Sequence, residues 1–88
     1  MTYKIRLEKE ASKFYQKADK GLARKLNKCF EALEKNPYQH PNIKPLKGRF
    51  KGQYRYRIGN YRVIYEINSQ VVEVVVLVIR HRGEAYNS

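Results

Sequence analysis

The second half of this 88-residue chain holds Arg55, Arg57, Arg62, Arg80 and Arg82, with His81 between the last two and Tyr86 just beyond them. A guanidinium is planar and permanently charged, and it can set two parallel N–H donors on two oxygens of one phosphate; a lysine ammonium binds the same group as a hydrated point charge. His81 is the member of this set able to give or take a proton near neutral pH. Tyr86, in a polar tail, could stack on a base or reach a phosphate through its hydroxyl. With Lys47 and Lys51 upstream, these side chains suit gripping a phosphodiester and, given a proton carrier, cutting it.

The whole chain carries 19 Lys and Arg against 8 Asp and Glu, a net charge of +11. Such a surplus calls for a polyanion, whether nucleic acid, an anionic membrane surface or an acidic protein. The lysines of the first half can equally serve to solvate its surface. Residues 44–88 differ, because six of their nine basic side chains are arginines. The length leaves room for one domain spanning residues 1–88, and no leader or membrane-spanning run is read, so a cytoplasmic protein is expected. Cys29 stands alone on the apolar stripe of a helix and reads as core packing. No His, Cys and carboxylate spacing suits a metal, and no cofactor is called for.

The hydrophobic pattern of the chain sets the elements that must hold these groups. Tyr3, Ile5 and Leu7 alternate with Lys4 and Arg6 as in a half-buried strand. Ala11, Phe14, Tyr15 and Ala18 then mark a short helix ended by an Asp19-Lys20-Gly21 turn. Leu22, Leu26, Cys29, Phe30 and Leu33 mark a longer one, with Asp19 as N-cap and Asn36-Pro37 as its stop. So short a link predicts two antiparallel helices. Residues 37–53 hold all three prolines and one short strand near an edge. Three strands follow: one through Tyr54, Tyr56 and Ile58, one from Tyr61 to Ile67, and a nearly unbroken apolar run from Val71 to Ile79 that should be central. The architecture is α+β: a strand, two helices and a mainly antiparallel sheet of about four further strands.

Hairpin geometry then aligns the arginines. A two-residue Gly59-Asn60 loop sets Ile58 opposite Tyr61 and Arg57 opposite Arg62, with Arg55 on the same face. If the next turn uses three residues, Ile67 faces Val71, Arg62 faces Val76, and Val78 and Arg80 share that face; a bulge at residues 68–70 would flip the parity. Like charges set opposite each other disfavour folding by roughly 0.2–1 kcal/mol per pair, so an anion is expected between them. Tyr54, Tyr56, Tyr61 and Tyr65 fall on the apolar parity and are expected in the core.

Pro45-Leu46-Lys47-Gly48, the run from Tyr54 to Tyr65, and Ile79-Arg80-His81-Arg82 followed by Tyr86 together resemble the RelE/ParE superfamily over nearly the whole length. The resemblance implies a RelE-like β-α-α-β-β-β-β fold. It also implies a toxin that enters the ribosomal A site on the small subunit, cuts the bound mRNA, and is neutralised by a RelB-like antitoxin. Arg62 and Arg80 match the family's phosphate-binding arginines, Tyr86 its C-terminal tyrosine, and His81 a histidine kept in some branches. Arg55 and Arg57 stand where RelE members have lysines, and arginine does not lose its proton at neutral pH. Lys44 replaces the glutamate of the branch that uses a histidine and glutamate pair. The expected set is therefore Arg57, Arg62 and Arg80 for charge stabilisation, His81 for proton transfer, Tyr86 for stacking or hydroxyl assistance, and Arg55, Lys47, Lys51 and Arg82 for substrate binding, with the general base open. A ParE-like gyrase inhibitor and a non-catalytic RNA-binding module are the alternatives.

Overall fold

The computed structural model describes residues 2–81. Its elements are β1 (Lys4–Leu7), α1 (Lys9–Lys17), α2 (Lys20–Lys35), β2 (Ile43–Pro45), a 3-10 turn (Gly48–Phe50), β3 (Gln53–Ile58), β4 (Tyr61–Asn68) and β5 (Glu73–His81). One five-stranded sheet has the order β1-β5-β4-β3-β2. Every neighbouring pair is antiparallel except β1 with β5. The expected α+β order is present, and the apolar last strand is indeed interior to the sheet.

The helices follow from their stripes and caps. Asp19 has an extended backbone, and its Oδ1 accepts the Leu22 N–H at 2.8 Å, satisfying one of the donors that a helix start leaves open. Lys20 and Gly21 are therefore already helical, and the expected three-residue turn contracts to Ala18 and Asp19. At the other end, Asn36 Oδ1 accepts from the N–H groups of Tyr38 and Gln39, turning the chain while Pro37 is buried. Leu26, Cys29 and Leu33 of α2 and Ala11 of α1 are fully buried. They pack with Tyr56, Val63, Tyr65, Val74, Val76 and Ile79 on one face of the sheet. Tyr15 ties the helices together: its hydroxyl meets Asn27 Oδ1 at 2.7 Å and its ring lies 5.8 Å from that of Phe30.

Of the tyrosines expected in the core, Tyr56 and Tyr65 are buried and Tyr54 packs against them, whereas Tyr61 is half-buried and lies outside the cluster. Tyr54 stacks on Tyr65 at 5.6 Å, and the buried Tyr65 hydroxyl donates to the Pro37 carbonyl at 2.8 Å. Burial pushes the Tyr65 phenol well above its ordinary pKa and does the same to the Cys29 thiol.

Two turns decide where the arginines go. Gly59 takes a φ of +52°, open to glycine at little cost, and closes the two-residue loop with Ile58 opposite Tyr61. The second turn departs from expectation. Asn68 pairs with Glu73, so the loop is residues 69–72; Val71 and Val72 belong to it, and β5 runs on through Arg80 and His81. Val72 sits at φ +54°, unusual for a β-branched side chain, with its carbonyl accepting the Lys4 N–H at 3.0 Å. The register also shifts between Ile64 and Tyr65, which pair with Val78 and Val76 and leave Leu77 as a bulge. Arg62 consequently lies opposite Arg80 rather than Val76.

Candidate nucleic-acid interface

Side chains alternate across a strand, so the face turned away from the helices can be read from the register. Arg57 pairs with Arg62 and Arg62 with Arg80, which places three guanidinium side chains in one row across β3, β4 and β5. The next row inward is Arg55, Ile64 and Val78. Ile64 is 6% exposed yet lies outside the helix-side core cluster, as a residue of the opposite face should.

The Leu77 bulge is what keeps this row together. The longer second loop by itself would have set Arg62 opposite Ile79 and turned Arg80 toward the helices. The extra residue restores the parity, leaving Ile79 in the core and Arg80 beside Arg62.

Asn42 braces the margin of the site. Its carbonyl accepts from the Arg57 N–H at 3.0 Å and from Arg55 Nη1 at 3.1 Å, while its Nδ2 donates to the Arg57 carbonyl at 2.7 Å. Lys44 of β2 pairs with Arg55. Lys44, Pro45, Leu46, Lys47, Arg55 and Arg62 then line an open cleft of about 340 Å³. The Pro45-Leu46-Lys47 segment thereby becomes a wall beside Arg55 and Arg62, and Lys47 adds a positive charge to it; Arg57 and Arg80 do not line this cleft.

Other residues expected at the site are placed elsewhere. Lys51 closes the 3-10 turn through its N–H to the Gly48 carbonyl and does not line the cleft. His81 pairs with Tyr61, and its ring meets the Tyr61 ring edge-on at 5.3 Å. Tyr61 in turn contacts Phe14 of α1 at 5.7 Å. His81 thus lies on the helix side of β5, across the sheet from the guanidinium row, because it follows Arg80 by one residue in a strand. Arg82 and Tyr86 lie outside the described residues.

Sequence reasoning missed two contributors. Asn42 carries no local signal, since its role comes from the β2–β3 pairing. Glu10, in the first turn of α1, puts Oε2 3.5 Å from Arg80 Nη2. It reaches the row because β1 stops opposite Val76, so α1 begins beside the part of β5 that β1 does not cover.

Among the described residues, no group of His, Cys, Asp and Glu is placed to hold a metal ion, and no helix is long and apolar enough to cross a membrane. The arrangement offers four cations around a cleft, Lys44, Lys47, Arg55 and Arg62, which suits an oxyanion or a phosphodiester backbone.

Comparison with known proteins agrees with this fold. The family model for the ParE toxin of the type II toxin–antitoxin system parDE matches residues 5–86. A RelE-like toxin protein of Escherichia coli is 28% identical over 99% of this chain and 93% of its own length. The archaeal RelE–RelB complex of Pyrococcus horikoshii contains a chain that superimposes with a TM-score of 0.81 at 31% identity, covering 97% of this chain and 100% of that one. A RelBE toxin–antitoxin complex of Mycobacterium tuberculosis gives 0.79 at 29% identity, covering 93% and 100%. The chain belongs to the RelE/ParE superfamily, the toxins of type II toxin–antitoxin systems.

Proposed function

We propose that this RelE-like toxin is a metal-independent endoribonuclease that cuts mRNA in the A site of the small ribosomal subunit, with its arginine row holding the phosphate under attack. The observation that carries this reading is the direct cross-strand alignment of Arg57, Arg62 and Arg80. Alignment of like charges opposes folding, and binding a polyanion supplies the compensating free energy.

Cleavage by an adjacent 2'-hydroxyl passes through a phosphorane that carries more negative charge than the starting diester. Fixed guanidiniums aimed at those oxygens stabilise that state more than the ground state. Arg62 and Arg80 are assigned this role with Arg57. Arg55, Lys44 and Lys47 hold the neighbouring backbone in the cleft. Tyr86 is assigned base stacking or hydroxyl assistance, the role suggested by the family position it matches.

The solved relatives from P. horikoshii and M. tuberculosis are complexes of toxin with antitoxin. A RelB-like antitoxin is the partner proposed for this chain, acting in the cytoplasm, where the ribosomal target is. A net charge of +11 favours an acidic partner segment over the arginine row.

The test is to induce this chain alone in cells and map mRNA 5' ends with and without ribosome loading. Growth arrest with cuts confined to translated regions is expected, and co-induction of the cognate antitoxin should abolish them. Arrest with no cuts and inhibited supercoiling by purified gyrase would replace this reading with a ParE-like one. Salt-sensitive RNA binding with neither effect would leave a non-catalytic binder.

A further inference from the structure

We infer that Glu10 is the general base of the cleavage reaction, an inference that rests on the endoribonuclease reading above. Attack by a 2'-oxygen needs a group that removes its proton. The three guanidiniums of the row keep their protons at any physiological pH, so they stabilise charge without accepting one. His81, the carrier expected from sequence, lies against Tyr61 on the far side of the sheet. Glu10, in contrast, stands at the end of the row with Oε2 3.5 Å from Arg80 Nη2.

The contact has the features of a working group more than of a structural tie. Glu10 is 61% and Arg80 42% open to solvent, and ion pairs this exposed contribute little to folding. At 3.5 Å the pair is a loose charge contact that an incoming phosphate can share. A guanidinium offers five N–H donors, enough for a phosphate oxygen and a carboxylate together. Carboxylate and scissile phosphate then meet on one side chain, with Glu10 beside the ribose whose oxygen attacks. The first turn of α1 is also a favourable place for a carboxylate.

The step balances without a co-reactant. The 2' O–H bond breaks and its proton passes to Glu10 Oε2 as the 2'-oxygen bonds to phosphorus. The bond from phosphorus to the 5'-oxygen breaks, and that oxygen takes a proton from solvent while Glu10 returns its own. The products are a 2',3'-cyclic phosphate and a 5'-hydroxyl.

The experiment measures single-turnover cleavage on programmed ribosomes at saturating toxin, together with toxin affinity for the same ribosomes and a thermal melt. Glu10→Gln is expected to slow cleavage by about 10²–10⁴-fold, the range of a lost general base, with affinity unchanged or tighter and the melt unchanged. Glu10→Asp, which keeps the carboxylate on a shorter arm, should recover part of the rate. If wild type cuts and Glu10→Gln cuts as fast or faster, Glu10 only screens Arg80; the inference falls and the endoribonuclease reading stands. A wild-type protein that does not cut overturns both.

Discussion

The face of the sheet turned from the helices carries charge at both ends, arranged in opposite ways. Toward the second turn, Arg6 of β1 bonds Glu73 of β5 at 3.3 Å and Glu8 at 3.5 Å, so opposite charges offset one another within the fold. Toward the first turn, Arg57, Arg62 and Arg80 lie side by side, with the Glu10 carboxylate at the margin. Between them runs an apolar band containing Ile64 and Val75, both nearly buried. Folding accounts for the first end, where charges neutralise each other as the chain closes. It accounts only in part for the second, where Glu10 reaches Arg80 but the alignment of Arg57 with Arg62 stays unfavourable until an anion arrives. A surface that is costly in isolation is a better guide to function than net charge, since it marks where selection for binding has overridden local stability.

Mutations separate the two ends. The largest effect should come from deleting Leu77, the bulge that sets the register. Without it Arg80 turns toward the helices and Ile79, 4% exposed, turns out of the core. Chemical denaturation should show a loss on the order of 2–5 kcal/mol, as for removing a large buried side chain, accompanied by loss of cleavage. A smaller effect is expected in binding. Replacing Arg57, Arg62 or Arg80 by Ala should each lower the slope of log affinity against log salt for single-stranded RNA by about 0.7, one phosphate contact apiece, while Arg6→Ala leaves it unchanged. An equal change from Arg6→Ala would erase the distinction between the ends. The smallest effect is in folding stability, with opposite signs at the two ends. Arg57→Gln relieves repulsion and should raise unfolding free energy by roughly 0.2–1 kcal/mol. Arg6→Gln removes a paired charge and should lower it by up to about 1 kcal/mol, both measured by urea denaturation.

Much of this arrangement was legible in the chain, and the parts that were not have physical reasons. Gly59-Asn60 is a strong hairpin signal, so the Arg57 to Arg62 pairing followed from turn chemistry alone. Asp19 was readable as a cap because its side chain type serves few other purposes before an apolar stripe. The second turn was misread because Val71 and Val72 have strand-like side chains, yet Val72 holds a left-handed backbone that its type disfavours. The bulge left no trace, since β5 is apolar on both faces and shows no alternation to be interrupted. Arg80 came to the expected face by a different route, an odd register change made even by the bulge. An apolar run that ends at Ile79 leaves His81 in the polar tail; once β5 extends through it, alternation alone moves it to the other face. Glu10 is 70 residues from Arg80, and no local pattern reports such a contact.

The most direct test is single-turnover mRNA cleavage on programmed ribosomes by wild type, Arg62→Ala, Arg80→Ala and Arg6→Ala, each checked for an unchanged melt. Loss of one preorganised donor to the transition state should slow the Arg62 and Arg80 variants by about 10²–10³-fold, with Arg6→Ala cutting like wild type. Arg62→Ala and Arg80→Ala cutting at the wild-type rate would contradict the claim that the aligned guanidiniums hold the phosphate under attack.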